Sequence, residues 1–148
     1  PAAGGNGYVI ERAYYDREGR RVALDGVPQG ERLLAVVTVR SDGKRQARLI
    51  VDDPLPAGFE IDNPSLLRSG DVRALDWLDL SDATHTEFRS DRFLAAVDLS
   101  GRETVTLAYV ARAVTLGVFH HPAASVEDMY RPERFARTGG GSLEIKAE

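Results

Sequence analysis

Two adjacent histidines, His120 and His121, lie a few residues before the carboxylates Glu127 and Asp128. Imidazole and carboxylate groups are common metal ligands and common acid–base groups in enzymes, so this grouping is the first candidate for chemistry. Neighbouring side chains on a β-strand point to opposite faces, which prevents His120 and His121 from binding one ion. We therefore predict structural or solvent-exposed roles for both histidines, and we predict that His85 is an ordinary strand or loop histidine.

A second acidic grouping places aspartates at every third position, Asp76, Asp79 and Asp82. A calcium loop needs oxygen ligands at alternate positions around a central glycine, and this spacing does not provide them. The chain has no cysteine and no Gly-x-Ser-x-Gly, His-Glu-x-x-His, Walker or dinucleotide-binding motif. The sequence thus predicts a non-enzymatic protein with no catalytic residues, no metal site and no cofactor.

The stretch SVEDMYRPERFART, from Ser125 to Thr138, differs in pattern from the ordinary strands of the chain. It places Met129 beside Tyr130, and a thioether next to an aromatic ring on a proline-stiffened loop is typical of interface hot spots. The alternative is a surface loop between the last two strands, in which arginines pair with nearby carboxylates. The predicted interface residues are Glu127, Asp128, Met129, Tyr130, Arg131 and Pro132.

Composition and charge limit the possible partners. The chain has 148 residues, of which 43% are hydrophobic, and this is enough for one domain with its own core. A formal net charge of -4 argues against nucleic acid and against an anionic membrane surface, since both select for basic faces. No apolar run is long enough to span a bilayer, so we predict no direct membrane contact. On its own the domain is expected to be a monomer.

Short strands separated by turn residues are predicted along most of the chain. Residues 1–7 indicate a linker or cut end, and residues 8–148 indicate a single β-domain. One predicted hairpin joins YVIERAYYD to RVAL, and a second joins GERLLAVVTVRS to QARLIVDD around Asp42-Gly43. Another turn, at Ser90-Asp91, separates THTEFRS from RFLAAVDLS. Eight to ten such strands predict an all-β protein with an antiparallel β-sandwich.

Two further patterns refine this prediction. The clearest strand, ETVTLAYVARAVTLG, should place Val105, Leu107, Tyr109 and Ala111 on one face. Helix is predicted as at most one short turn, in NPSLLRSG, because no stretch keeps a 3.6-residue period over three turns. Large aromatic residues are expected to fill the core and its rim, namely Trp77, Tyr14 and Tyr15.

Several blocks resemble one known module. They are YVIERAYYDREG, VPQGERLLAVVTV, VDDPLPAGFEIDNP, ALDWLDLSDATHTEFRSDRFLAAVDLS and LAYVARAVTLGVFHHPAASVEDMYRPERFART. In this order, with the closing strand, they resemble the C-terminal domain of bacterial alpha-2-macroglobulins, which are large periplasmic protease-trapping lipoproteins. The resemblance covers nearly the whole chain and is most specific in the last block and in DPLPAGFEI. It implies a macroglobulin-like or immunoglobulin-like sandwich within a longer parent chain.

The resemblance also implies a role in a protease inhibitor. In that family a protease cleaves a bait segment, and a thioester between a cysteine and a glutamine of a neighbouring helical domain then captures the protease. The terminal domain packs on that thioester-type domain beforehand, so Met129 and Tyr130 would shield the thioester from water and amines. The implied partners are the helical domain of the same parent and, through the parent, target proteases. The implied location is the periplasm, with the parent lipid-anchored to the inner membrane.

Two alternatives remain open on the sequence. A sister class of these proteins lacks the thioester, and a similar terminal domain occurs there. A stand-alone adhesion or ligand-binding sandwich of a secreted protein is the other possibility. A Cys-x-x-Gln motif upstream in the parent would favour the protease trap, whereas tandem copies of this domain would favour adhesion.

Overall fold

The structure is a computed structural model, and it describes residues 3–62 and 85–147. This part of the chain forms fourteen β-strands in three sheets and no α-helix. In chain order the strands are β1 (Gly4–Asn6), β2 (Tyr8–Tyr15), β3 (Arg21–Val22), β4 (Asp25–Pro28), β5 (Arg32–Ser41), β6 (Arg48–Pro54), β7 (Phe59–Ile61), β8 (His85–Phe88), β9 (Arg92–Asp98), β10 (Thr104–Ala113), β11 (Gly117–His121), β12 (Ser125–Asp128), β13 (Phe135–Arg137) and β14 (Gly141–Lys146). The all-β prediction is confirmed.

Two large sheets enclose the core. The first has the strand order β1-β13-β12-β6-β9-β8, the second has the order β3-β2-β5-β10-β7, and a smaller third sheet has the order β11-β14-β4. Alternating residues of β10, namely Val105, Leu107, Tyr109 and Ala111, are all buried, as the sequence predicted. They share one apolar cluster with the inward-facing residues of β6 and β9 from the opposite sheet, and this arrangement is a β-sandwich.

One of the two predicted hairpins is correct and the other is wrong, while the predicted turn at Ser90-Asp91 joins two paired strands. Strands β2 and β3 pair antiparallel, and so do β8 and β9. Strands β5 and β6 exist as predicted but lie in different sheets. The physical reason is that β5 is already paired on both sides, with β2 and β10, so it has no free edge for β6. The Asp42-Gly43 turn therefore carries the chain from one sheet to the other.

Three further elements differ from the sequence-based expectations. Gly4–Asn6, inside the predicted linker 1–7, pairs with β13, and a side chain at Gly5 would lie 2.5 Å from the carbonyl oxygen of Tyr8. Small residues allow this close approach and also hid the strand. The start of the predicted loop, Ser125–Asp128, is strand β12. Strands β14 and β4 pair parallel, unlike every other named pair of the described residues.

Several expectations fall on residues 63–84, which lie outside the described residues. These are the helical turn in NPSLLRSG, the strand ALDWLDL, the aromatic residue Trp77 and the aspartate series Asp76, Asp79 and Asp82. Within the described ranges no helix is long and apolar enough to cross a membrane.

A candidate interaction surface on the β12–β13 loop

Met129 and Tyr130 lie on the loop that joins β12 to β13, and together we call them the Met–Tyr pad. Met129 is 46% exposed and Tyr130 is 77% exposed, which places the pair among the large apolar side chains that the fold leaves in solvent. Burying such side chains against a partner is favourable, since each removes apolar area from water. The pad therefore has the chemistry of a contact surface.

Asp128, the last residue of β12, holds the loop beneath the pad. Its side chain is buried, and Oδ1 accepts hydrogen bonds from the backbone N–H groups of Tyr130 at 3.0 Å and Arg131 at 3.2 Å. The other oxygen, Oδ2, lies 3.5 Å from the Tyr8 hydroxyl, which donates to it. An aspartate that bonds to the backbone two residues ahead forms an Asx turn. The carboxylate thus gives the loop a defined backbone path.

Backbone hydrogen bonds close the same loop and attach it to the first sheet. The Met129 N–H group donates to the Arg48 carbonyl of β6 at 2.9 Å. The Asp128 N–H group donates to the Arg134 carbonyl at 3.1 Å, and the Arg134 N–H group donates to the Arg131 carbonyl at 2.8 Å. Because the loop is ordered before any partner arrives, docking on the pad does not incur the entropy cost of ordering it.

The ion pairs expected for a plain surface loop are replaced by other contacts. The Arg134 guanidinium lies 3.9 Å from the Asp42 carboxylate, outside the loop, while Asp128 bonds to backbone N–H groups. The Glu133 carbonyl accepts a hydrogen bond from the Asn6 side chain at 2.7 Å. Of the six predicted interface residues, Asp128 is buried and the others are exposed, namely Glu127, Met129, Tyr130, Arg131 and Pro132.

A buried ionic network inside the sandwich was missed by the sequence reasoning. Asp53 is fully buried, and its two oxygens accept hydrogen bonds of 2.5 Å from the Arg12 guanidinium and the Tyr109 hydroxyl. Arg12, whose side chain is 4% exposed, also donates to the Pro122 carbonyl at 2.7 Å. Burial raises the pKa of Asp53, and the Arg12 charge and the Tyr109 hydrogen bond oppose that rise. The network links both large sheets to the segment after β11.

The two adjacent histidines occupy opposite faces of β11, as predicted. His121 is half-buried, and its Nε2 lies 2.9 Å from the Tyr14 hydroxyl, while His120 is exposed. Burial, together with the nearby Arg12 charge, lowers the pKa of His121 to about 4. The neutral ring can therefore accept the Tyr14 hydrogen bond. Within residues 3–62 and 85–147 no three His, Cys, Asp or Glu side chains group together in a way that could hold a metal ion.

The low pKa of His121 predicts that the domain loses stability as the pH falls from 7 to 5.5. In this range the unfolded chain binds a proton at His121 near the ordinary pKa of about 6.5, but the folded chain does so only near pH 4. The free energy of unfolding therefore decreases with falling pH. Urea unfolding at both pH values measures this decrease in the free energy of unfolding. The decrease should be smaller in His121→Asn than in wild type, and in the control His120→Asn it should equal that of wild type. An identical decrease in His121→Asn and wild type would contradict this prediction.

The chain is similar to known proteins over most of its length. The sequence profile of the family described as bacterial alpha-2-macroglobulin MG10 domain matches residues 7–133. The chain belongs to this family. The match to the MG10 family includes the Met–Tyr pad and both members of the Arg12–Asp53 pair.

Curated relatives of this MG10 domain are whole alpha-2-macroglobulins. The protein from Escherichia coli (strain K12) is 35% identical over 142 residues, which cover 90% of this chain and 8% of that relative. The protein from Xylella fastidiosa (strain 9a5c) is 34% identical over 145 residues, with 89% and 8% covered. The chain therefore spans about a twelfth of the length of the relatives it matches.

Solved structures match the MG10 domain in its fold as well. The cryo-EM structure of native E. coli alpha-2-macroglobulin aligns with a TM-score of 0.85 and 33% identity, covering 99% of this chain and 10% of that chain. Salmonella alpha-2-macroglobulin reacted with methylamine aligns with a TM-score of 0.84 and 36% identity, over 99% and 10%. These matches confirm the macroglobulin-like sandwich and its relation to a domain of a larger protein.

Proposed function

We propose that this MG10 domain is a non-catalytic part of a bacterial protease inhibitor of the alpha-2-macroglobulin type. Its Met–Tyr pad packs on the thioester-type helical domain of the parent chain until a protease cleaves the bait region. The observation that carries the proposal is the exposed Met129-Tyr130 pair on a loop fixed by the buried Asp128 carboxylate. A surface that is apolar, exposed and already ordered is suited to cover a reactive group.

The chemistry of a thioester explains why such a cover is needed. Water or an amine attacks the activated carbonyl carbon, the carbon–sulfur bond breaks, and the thiolate leaves. Excluding these nucleophiles preserves the acyl group until it is required. The ring of Tyr130 provides a broad apolar area with one polar end, and the flexible thioether of Met129 fills irregular gaps beside it. The Salmonella relative was solved after reaction with methylamine, and this supports a reactive acyl group in such parents.

Proteases enter the proposal as partners of the parent. Two structures of E. coli alpha-2-macroglobulin are described as activated, one by trypsin and one by porcine elastase, and this supports a parent that responds to proteolysis. The MG10 domain contributes the resting contact, and its release after cleavage exposes the thioester. The proposed location is the periplasm, with the parent lipid-anchored to the inner membrane.

Photo-crosslinking in the uncleaved parent tests the proposed contact. With p-benzoylphenylalanine in place of Tyr130, we expect crosslinks to the thioester-type domain that disappear after protease cleavage, because the pad then separates from that domain. The control places the same probe at Arg17, an exposed turn residue between β2 and β3, where we expect no such crosslink. Mass spectrometry of crosslinked peptides identifies the contact. No crosslink from position 130, or equal crosslinking from both positions, would refute the proposal.

A further inference from the structure

The outer edge of β11 is a second feature that invites a partner. Strand β11 is the end strand of the third sheet, and it pairs with β14 on one side. In the described ranges no strand pairs with its other side. An unpaired strand edge presents a row of backbone N–H and C=O groups that another strand can bind. Leu116, just before β11, is 49% exposed, and Val118 within it is 69% exposed.

The other edge strands of the described residues have protection that β11 lacks. Proteins guard free edges by short length, charged residues or proline. The strands β1, β3, β4, β7 and β8 have two to four residues each. All of these except β1 contain a charged residue or proline, namely Arg21, Asp25, Pro28, Glu60 and Glu87. Strand β11 has five residues, GVFHH, with no such residue. Its His121 is uncharged at neutral pH because burial lowers the pKa to about 4.

The inner side of β11 packs on the core, so the position of its free edge is defined before another strand binds. Phe119 packs against the main core cluster, and it pairs with Leu143 of β14. A side chain at Gly58 would lie 2.6 Å from the Phe119 ring, which shows how closely the backbone approaches this ring. Val118 and His120 lie on the exposed face. This alternation fixes the register of an incoming strand.

The β11 edge lies far from the Met–Tyr pad. Near the start of β2, Tyr8 contacts Asp128 beneath the pad, and near its end Tyr14 contacts His121 of β11. The strand segment between Tyr8 and Tyr14 is roughly 20 Å long at about 3.3 Å per residue. The two surfaces are therefore at opposite ends of the sandwich and can hold different parts of a parent.

We propose that the free edge of β11 binds an extended segment of the parent chain by β-augmentation. The residues of this segment that pair with β11 carry no charged side chains. One of them places a β-branched or aromatic side chain opposite Val118, since such cross-strand pairs stabilise sheets. The occupant comes from the parent because this chain spans 8% of its E. coli relative, and a tethered segment has a higher effective concentration than a second copy. This inference uses the parent context and does not depend on thioester shielding.

Hydrogen exchange in the full parent tests the docking. If a strand covers the edge, the alternate amide groups of residues 117–121 that point away from β14 should exchange at least about tenfold more slowly than the unpaired amides of a free edge. Val118→Asp should remove that protection by placing a charge against the added strand. The matched control is Val9→Asp, at an exposed valine of β2, which should leave exchange in β11 unchanged.

Two results of the exchange experiment would contradict docking at the β11 edge. Rapid exchange of alternate β11 amides in the wild-type parent would overturn it. Protection that disappears on dilution, together with a concentration-dependent dimer, would assign the edge to a second copy and would also overturn it. Tyr130→Gly should leave β11 exchange unchanged, so failure of the shielding function and failure of this docking are measured separately.

Discussion

Replacing Tyr130 by glycine in the uncleaved parent should increase methylamine incorporation by about tenfold or more, provided that the parent has a thioester. The substitution removes the ring and leaves a gap through which a small amine can reach the acyl carbon. Tyr130→Phe keeps the ring and should incorporate methylamine at nearly the wild-type rate. Labelled methylamine measures the incorporation before any protease is added. The side chain is 77% exposed in this domain, so its removal should not unfold it.

Two controls separate shielding from general damage. The melting temperature of the domain should be the same with glycine or tyrosine at position 130. Val9→Gly removes another exposed apolar side chain, and should leave methylamine incorporation unchanged. Variants of Arg131 and Pro132 should have smaller effects, because these residues flank the pad. If wild type and Tyr130→Gly incorporate methylamine equally, Tyr130 does not shield the thioester and is an ordinary surface residue.

Arg12→Ala should lower the free energy of unfolding by about 3–5 kcal/mol, the range found when one member of a buried ion pair is removed. Among the described residues, the substitution leaves the fully buried Asp53 carboxylate with the Tyr109 hydroxyl as its remaining side-chain donor. It also removes the donor to the Pro122 carbonyl. Urea unfolding at pH 7 measures the loss.

A neighbouring ion pair provides the matched control. Asp52 precedes Asp53 in β6, and its carboxylate lies 2.9 Å from the Arg92 guanidinium. Both side chains of this pair are partly exposed. Arg92→Ala should cost less than about 1 kcal/mol, because water replaces the lost partner. Adding Asp53→Ala to Arg12→Ala should recover part of the stability, since the uncompensated charge is removed. A loss as small as that of Arg92→Ala would mean that water reaches Asp53.

Strand positions could be predicted because apolar side chains alternate along them. This pattern located β10 and its buried face, as well as both strands next to the Asp42-Gly43 turn. The pattern could not identify which strands pair with each other. Alternation shows which side chains are buried, and that pattern does not depend on which strand lies alongside. The β5–β6 hairpin was wrong for this reason. The pairing of Gly4–Asn6 was hidden because small residues have no side-chain pattern.

The exposed residues of the candidate site could be predicted from the sequence, but the contacts that fix the loop beneath them could not. Met129 and Tyr130 stood out by type, whereas the backbone hydrogen bonds of Asp128 depend on a loop geometry that charge patterns do not encode. The buried pair did have a signal. Arg12 follows Ile10 at an inward position of β2, and Asp53 continues the alternation of Leu49 and Val51 in β6. Opposite charges at inward positions of two strands predict a buried pair.

The pairing of β4 with β14 also determines when the domain can finish folding. Val27 pairs with Ile145, and β14 is the last strand of the described chain to be synthesised. Until β14 emerges, neither β4 nor β11 has its neighbour, and the apolar side chains that meet there stay exposed to water. Pairing between strands so distant in sequence is slow, because a long loop must close first. Assembly of the third sheet is therefore a late step, and a nascent chain that stalls before Gly141 carries an incomplete core that is prone to aggregation.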